Sequence, residues 1–136
     1  MKIFFDTNVL IAAFITRGTC SELFEHCLLE HKIYISIGVL DELYKEMVGK
    51  IGFPEVKVDQ IVNFIRKNCE MLTCTPLSEP ICSDPDDDNI LASVVSGNVD
   101  CLISGDEDLL VLKNFQGIPI IRPGDFWRFE KKRTGV

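Results

Sequence analysis

The sequence lacks several patterns that identify common protein classes. No apolar run approaches the roughly 20 residues that a membrane-spanning helix needs. No Gly-x-x-x-x-Gly-Lys-Ser/Thr loop is present, which argues against a P-loop NTPase. The strand-like start at residues 2–5 meets Asp6 at once, so the N-terminus does not resemble a signal peptide. These absences predict a cytoplasmic protein that does not enter a membrane.

The cysteines and histidines show no metal-binding spacing. Six cysteines are present without a Cys-x-x-Cys pair, and there are only two histidines. Neither His26 nor His31 stands at ligand spacing from a cysteine. The pattern therefore predicts buried, reduced thiols and argues against a zinc site.

Length and composition fit one globular domain. The chain has 136 residues, of which 46% are hydrophobic and 26% charged. A chain of this size can bury a substantial core. We therefore expect a single domain over residues 1–136.

Charge is distributed unevenly along the chain. The net charge is -7, and residues 84–112 contain eight acidic residues but no Lys or Arg. A pI near 4.8 argues against bulk electrostatic binding of nucleic acid, but not against a phosphate substrate at a site where metal ions cancel the acids. The C-terminal bases could contact a polyanion or form a solvated helix face; they are Arg122, Arg128, Lys131, Lys132 and Arg133.

Apolar periodicity predicts alternating strands and helices. The predicted strands are residues 2–5, 32–36, 70–74, 101–104 and 118–121. The helices between them include one capped by Asn8, one capped by Ser36 and ended by Gly49 and Gly52, and one over residues 85–97 capped by Asp84. A helix opened by Pro54, a loop over 76–85, a turn at 108–112 and a final helix at 125–132 complete the pattern. Nearly all-apolar strands that alternate with helices predict a parallel sheet covered on both faces, with the chemistry at the carboxyl ends of the strands.

Carboxylates are placed where such a site is expected. Asp6 and Asp106 stand at or just past predicted strand ends, Glu42 lies on a helix, and four aspartates surround Pro85. Each has an ordinary alternative as a turn residue, a helix-dipole acid or an exposed helix acid. If they converge, carboxylates about 5 Å apart repel by roughly 1–3 kcal/mol per pair, which indicates a bound cation. Oxygen-only ligands favour Mg²⁺ or Mn²⁺ over zinc.

Four ordered motifs and one further segment resemble the PIN-domain nucleases, including the VapC-like toxins of prokaryotic toxin–antitoxin pairs. The motifs are Phe5-Asp6-Thr7-Asn8-Val9-Leu10, Leu40-Asp41-Glu42-Leu43, Asp84-Pro85-Asp86-Asp87-Asp88-Asn89-Ile90-Leu91-Ala92 and Ser104-Gly105-Asp106-Glu107-Asp108-Leu109-Leu110. The segment Ile118-Pro119-Ile120-Ile121-Arg122-Pro123 is also similar to the family. The resemblance covers essentially the whole chain.

The resemblance implies a three-layer α/β/α sandwich with a five-stranded parallel sheet and a Mg²⁺- or Mn²⁺-dependent endoribonuclease site. The implied catalytic residues are Asp6, Glu42, Asp87 and Asp106. Asp6, Asp87, Asp106 and the accessory acid Asp108 are the implied metal ligands, while Asn8 and Ser104 are accessory polar residues. Counting back from Ile90 favours Asp87, although Asp86 and Asp88 compete for that position.

The implied partners are RNA, an antitoxin protein and a second copy of the chain. The alternatives are a non-catalytic PIN-fold module for RNA binding or protein interaction, or another Mg²⁺-dependent phosphohydrolase. A phospho-accepting receiver domain fits less well, because its nucleophilic Asp normally follows a later strand. The RNA target and the number of metal ions stay open.

Overall fold

A central β-sheet organises the fold in the computed structural model, which describes residues 1–73, 77 and 79–134. Among these residues the strands are β1 (Lys2–Phe5), β2 (Lys32–Ser36), β3 (Glu70–Leu72), β4 (Cys101–Ile103), β5 (Asn114–Phe115) and β6 (Ile118–Ile121). Their order in the sheet is β3-β2-β1-β4-β6-β5. All neighbouring strands pair in parallel except β5, which is antiparallel to β6.

Helices connect the strands. They are α1 (Thr7–Ile15), α2 (Thr19–Glu30), α3 (Ile37–Lys45), α4 (Glu55–Asn68), α5 (Pro85–Gly97), α6 (Glu107–Leu110) and α7 (Phe126–Thr134). A π-helical segment, Glu46–Ile51, continues α3, and a 3₁₀ turn, Pro123–Asp125, precedes α7. No helix among the described residues is long and apolar enough to cross a membrane.

Helices cover both faces of the sheet. Ile3, Phe4 and Phe5 of β1 are consecutive and all fully buried. Successive strand residues point to opposite faces, so a strand that is buried throughout has a packed layer on each side. The predicted α/β/α class is therefore confirmed.

The predicted number of strands was wrong. The sequence indicated five parallel strands, whereas β5 adds a sixth at one edge. Gln116 and Gly117 join β5 to β6 with φ angles of 50° and 82°. Two consecutive positive φ angles match the twist of a tight hairpin. A strand of two residues is too short to produce a detectable alternation of apolar and polar side chains.

Several helix boundaries also differ from the prediction. Asp6, rather than Asn8, caps α1, because its carboxylate accepts a hydrogen bond from the Val9 amide. Ser36 and Asp84 cap α3 and α5 as predicted. The helical turn predicted at 108–112 begins at Glu107, with Asp106 as its cap.

Smaller differences concern the ends of other elements. The π-helical segment includes Gly49, and the helix ends at Gly52, whose φ of 83° is left-handed. The third strand ends at Leu72, and the fourth ends one residue before Ser104. Cys74 and Pro76, which belonged to the predicted strand and loop, lie outside the described residues. The five described cysteines are free thiols.

The strand order brings two predicted site segments together. The chain proceeds outward from β1 to β2 and β3, and then crosses to β4 on the other side of β1. The carboxyl ends of β1 and β4 therefore meet where the winding direction changes, which is where ligands bind in open α/β sheets. At this edge the Asp6 amide donates to the Ile103 carbonyl at 3.1 Å, and the Ser104 amide donates to the Ile121 carbonyl at 3.0 Å.

Candidate active site

Asp6 is held by two hydrogen bonds at the end of β1. Its side chain is buried, with Oδ1 accepting from the Val9 amide at 2.9 Å and Oδ2 accepting from the Ser104 hydroxyl at 2.5 Å. Burial raises the pKa of Asp6, while the hydrogen bonds from Ser104 and Val9 oppose that rise. The carboxylate is therefore fixed in orientation, and its negative charge has little solvent around it.

Ser104 joins the two strand ends. Its hydroxyl donates to Asp6 and also accepts from the Asp106 amide at 3.0 Å. Asp106 Oδ1 in turn accepts from the Asp108 amide at 2.9 Å. A continuous series of hydrogen bonds thus runs from Asp6 to the first turn of α6, which sets the separation of the carboxylates.

Asp87 is a buried carboxylate in a strongly acidic environment. It is 5% exposed, and its Oδ2 has no hydrogen-bond partner among the described residues. Burial, followed by the charges of Asp106 and Asp84, raises the pKa of Asp87 to about 7. One carboxylate oxygen from each of Asp87, Asp106 and Asp108 lies within 4.8 Å of the other two. Burying a charged carboxylate without a partner costs desolvation free energy, and a bound cation would offset that cost.

The other acids around Pro85 have structural roles or greater exposure. Asp84 caps α5 by accepting from the Asp86 amide at 2.9 Å. Asp88 accepts from the amides of Ile81 and Cys82, which fixes the loop that enters α5. Asp86 is exposed. Asp87 is the member of the consecutive aspartates that is buried beside Asp106.

Glu42 reaches the same place from α3. It is half-buried, and its pKa is raised first by burial and then by Asp86, Glu46, Asp84 and Asp6. A cavity of about 100 Å³ is lined by Asp6, Thr7, Asn8, Glu42, Asp84, Asp86, Asp87, Ile90 and Asp106. The structure thus brings the four predicted catalytic carboxylates together at one small cavity.

The accessory residues occupy different positions around this cavity. Exposed Asn8 lines it from the first turn of α1, and fully buried Ser104 lies behind Asp6. Asp108 is exposed and does not line the cavity, but it belongs to the cluster with Asp87 and Asp106.

The donor set fits a hard divalent cation. Among the described residues, the cavity lining contains oxygen donors and no Lys, Arg, His or Cys. Mg²⁺ and Mn²⁺ prefer such ligands, whereas zinc favours imidazole and thiolate. The unpartnered Oδ2 of Asp87 is a buried acceptor in need of a positive partner. Asp6, Asp87, Asp106 and Asp108 could therefore hold such an ion.

The sequence interpretation missed a groove beside this cavity. A space of about 440 Å³ shares Glu42, Asp86 and Ile90 with it and extends along α3 to Lys45 and Lys50. Lys45 follows Glu42 by three residues, so helical spacing could have placed it on the same side of α3. Lys50 could not be placed in this way, because it lies in the π-helical segment.

A second groove begins on the other side of the acidic cavity. It has a volume of about 520 Å³ and starts at Glu107, the residue after Asp106. Arg122, Arg128 and Lys132 line it and are exposed. Arg122 forms an ion pair with Glu107 at 2.8 Å. Two grooves therefore flank the acidic cavity: the second has four bases and two acids in its lining, and the first has Lys45 and Lys50 among four acids.

Fold and site together define an α/β/α protein with a carboxylate cluster at the carboxyl edge of its parallel strands. The family profile described as PIN domain matches residues 2–108. The chain therefore belongs to the PIN-domain family. No curated protein sequence shows significant similarity to it.

Solved structures of toxin–antitoxin proteins have a similar fold. VapBC2 from Rickettsia felis, solved with a promoter DNA fragment, is 14% identical with a TM-score of 0.66, over 90% of this chain and 98% of that chain. VapBC-1 from nontypeable Haemophilus influenzae is 16% identical with a TM-score of 0.64, over 91% and 99%. VapC20 from Mycobacterium tuberculosis, a toxin that cleaves the sarcin-ricin loop, is 13% identical with a TM-score of 0.59, over 86% and 98%. At these identities the similarity concerns the fold.

Proposed function

We propose that the protein is a Mg²⁺- or Mn²⁺-dependent endoribonuclease and the toxin component of a toxin–antitoxin pair. The observation that carries the metal-dependent activity is buried Asp87, which has an unpartnered oxygen beside Asp106 and Asp108. Membership of the PIN-domain family supports a nuclease, and the similarity to VapC toxins supports the toxin assignment.

Asp6, Asp87 and Asp106 are the proposed principal metal ligands, with Asp108 as an accessory ligand. A bound Mg²⁺ or Mn²⁺ supplies Lewis acidity toward phosphate oxygens and water. Asp6 keeps a fixed orientation because Ser104 and Val9 donate to it. Glu42 lines the same cavity from α3, so we assign it to orienting water or to completing the set of metal ligands.

The second groove suits a polyanionic strand, because its lining has more basic than acidic residues. The acidic cavity alone would repel RNA, but Arg128 and Lys132 lie on one side of it, and Lys45 adds a base on the other. Phosphates that contact these bases would direct the strand across the carboxylates. We expect hydrolysis to leave a 5′-phosphate and a 3′-hydroxyl.

Two assembly partners complete the proposal. The similar VapBC structures support an antitoxin as one of them. A homodimer is the other, and Ile15 and Phe64 are apolar side chains at least 40% exposed on α1 and α4. Sedimentation of the purified chain should show a dimer, and a monomer at all accessible concentrations would contradict this part.

The test is cleavage of labelled single-stranded and structured RNAs in Mg²⁺ or Mn²⁺, with a chelator as the negative condition. We expect Asp6→Asn and Asp106→Asn to lose cleavage while keeping the circular dichroism spectrum of the folded chain. Asp59→Asn, an exposed residue on α4, is the matched carboxylate-to-amide control and should cleave normally.

Unchanged cleavage in both site variants would show that the activity does not belong to this site. RNA binding without cleavage in the wild-type chain would favour the non-catalytic module. Hydrolysis of small phosphate esters in the absence of RNA cleavage would favour a different phosphohydrolase.

A further inference from the structure

Two histidines and a glutamate meet at the edge of the sheet opposite the acidic cavity. His26 lies on α2, His31 directly follows this helix, and Glu130 lies on α7. The Met1 amine contacts His31 Nδ1 at 3.1 Å, which places the cluster at the start of β1. Asp6 follows the other end of that strand, about 13 Å away for four extended residues.

The three side chains converge on one point. His26 Nε2 lies 2.6 Å from Glu130 Oε2, and His31 Nε2 lies 2.5 Å from the same oxygen. The exposed fractions are 28% for the His26 side chain, 20% for Glu130 and 7% for His31. The cluster is thus mostly buried, and solvent reaches it through the partly exposed side chains of His26 and Glu130.

Aromatic rings of α7 support both imidazoles. The His26 ring lies 4.7 Å from the Trp127 ring, and the His31 ring lies 5.8 Å from the fully buried Phe126 ring. These contacts restrict the rotation of the histidines, so their Nε2 atoms are directed toward Glu130 before any ligand arrives. Preorganised donors lose less conformational entropy on binding.

We propose that His26, His31 and Glu130 form a zinc-binding site that joins α2 to the C-terminal helix. Two imidazole nitrogens and one carboxylate oxygen are a common three-ligand set for Zn²⁺, with a water in the fourth position. With bonds of about 2.0–2.1 Å, tetrahedral zinc ligands lie about 3.3 Å apart. The donor atoms therefore need to separate by less than about 1 Å, and zinc displaces to solvent the protons that the two Nε2 atoms share with Glu130. His31 then carries its ring proton on Nδ1, which the neutral Met1 amine accepts.

The sequence argued against zinc because it offers no suitable cysteine spacing. Glu130 is 104 residues from His26 and 99 from His31, so no local pattern could reveal it. The site is chemically distinct from the acidic cavity, because imidazole selects zinc over Mg²⁺. Bound zinc would fix α7 at Glu130. This residue lies between Arg128 and Lys132, and those two bases line the second groove.

The test is calorimetric titration of the full-length, metal-stripped chain with Zn²⁺ in excess Mg²⁺. We expect one zinc ion per chain to bind and to raise the melting temperature, with both effects lost in Glu130→Gln. His26→Gln is the second variant, because His26 is the more exposed histidine and its replacement perturbs the core less. Asp87→Asn, in the acidic cavity, should bind zinc normally.

X-ray absorption at the zinc edge identifies the ligands. We expect nitrogen and oxygen neighbours with imidazole scattering and no sulfur. Zinc binding that persists in folded Glu130→Gln and His26→Gln, a sulfur ligand, or no binding by the wild-type chain would each overturn the proposal. None of these outcomes depends on nuclease activity.

Discussion

At the scale of single residues, Asp87 is a carboxylate whose environment opposes its charge. It is buried, one oxygen has no partner among the described residues, and Asp106 and Asp84 repel its charge. Asp6 is equally buried, but it accepts hydrogen bonds from Ser104 and Val9. The difference predicts that Asp87 responds most strongly to a cation.

Replacing Asp87 by Asn should stabilise the metal-free protein. Relief of one carboxylate repulsion contributes about 1–3 kcal/mol, or a rise of roughly 3–10 °C in Tm. Millimolar Mg²⁺ should raise the Tm of the wild-type chain and have little effect on the variant. At a free Mg²⁺ concentration of 100 times Kd, binding adds about 2.7 kcal/mol to the free energy of unfolding. Calorimetric melts in chelator and in Mg²⁺ measure both effects. A destabilised variant and a wild-type chain insensitive to Mg²⁺ would mean that Asp87 serves the helix dipole alone.

The raised pKa of Asp87 predicts a pH dependence of stability. The unfolded carboxyl titrates near 3.8 and the folded one at about 7, so the folded chain binds more protons between these values. The free energy of unfolding should therefore fall as pH rises from about 4 to about 7 in metal-free buffer. The contribution of Asp87 is the difference between the free energies of unfolding of the wild-type chain and of Asp87→Asn, each measured by denaturant melts at the same pH. Parallel pH profiles for the two proteins would contradict the raised pKa.

At the scale of elements, a single hydroxyl couples β1 to the turn after β4. Ser104 donates to Asp6 and accepts from the Asp106 amide, so both proposed ligands depend on it for position. Another anchor acts on the loop before α5, where Asp88 accepts from the Ile81 and Cys82 amides.

Ser104→Ala should destabilise the fold and reduce cleavage. It leaves the buried Asp6 Oδ2 and the Asp106 amide without their partner, at a cost of about 1–3 kcal/mol. Ser93→Ala is the matched control, because Ser93 is also buried but bonds only the Asn89 carbonyl of its own helix among the described contacts. Its loss should cost less than about 1 kcal/mol. Equal losses in urea melts would show that the Ser104 bridge has no special role.

The variant Asp88→Ala tests whether Asp88 anchors the loop while Asp87 serves as the proposed metal ligand. It removes the acceptor of two loop amides and should lower stability by about 1 kcal/mol. The stabilisation by Mg²⁺ should remain, because Asp88 does not line the acidic cavity. If Asp88→Ala instead loses the Mg²⁺ effect in a thermal melt, the ligand assignment moves from Asp87 to Asp88.

The sequence predicted most elements because their signals are local. Apolar runs marked the five longer strands, and Ser36 and Asp84 were recognisable caps. β5 was missed because two residues carry no periodicity. Asn8 was a plausible cap, but the chain turns into α1 already at Asp6, and only the backbone conformation decides which polar residue accepts from Val9.

At the scale of the whole molecule, opposite charges are arranged around one edge of the sheet. Acidic residues line the small cavity, basic residues predominate in the second groove, and the groove along α3 contains two lysines among four acids. The net charge of -7 hides this pattern. Long-range attraction of RNA is therefore expected to be weak, and local contacts to phosphates should determine binding.

The double variant Arg128→Gln/Lys132→Gln should weaken RNA binding and its salt dependence. For single-stranded RNA, each lost phosphate contact reduces the slope of log K against log salt by about 0.7. The control Lys57→Gln/Lys67→Gln removes two exposed charges from α4, away from both grooves. Fluorescence anisotropy over a salt series, in the Asp106→Asn background to prevent cleavage, measures the slope. A slope unchanged from wild type would place the strand elsewhere.

The sequence by itself determined the fold class and the strand-end aspartates Asp6 and Asp106, because apolar periodicity and strand ends are local patterns, whereas Glu42 and Asp87 were selected by the resemblance to PIN-domain nucleases. The tertiary structure decided how they act, since only distances between remote residues show that Ser104 orients Asp6 and that Asp87 Oδ2 has no hydrogen-bond partner in the described part of the chain. It also brought Glu130 to His26 and His31. The physical reason is that hydrogen bonding, burial and charge repulsion act over a few ångströms in space, irrespective of separation along the chain.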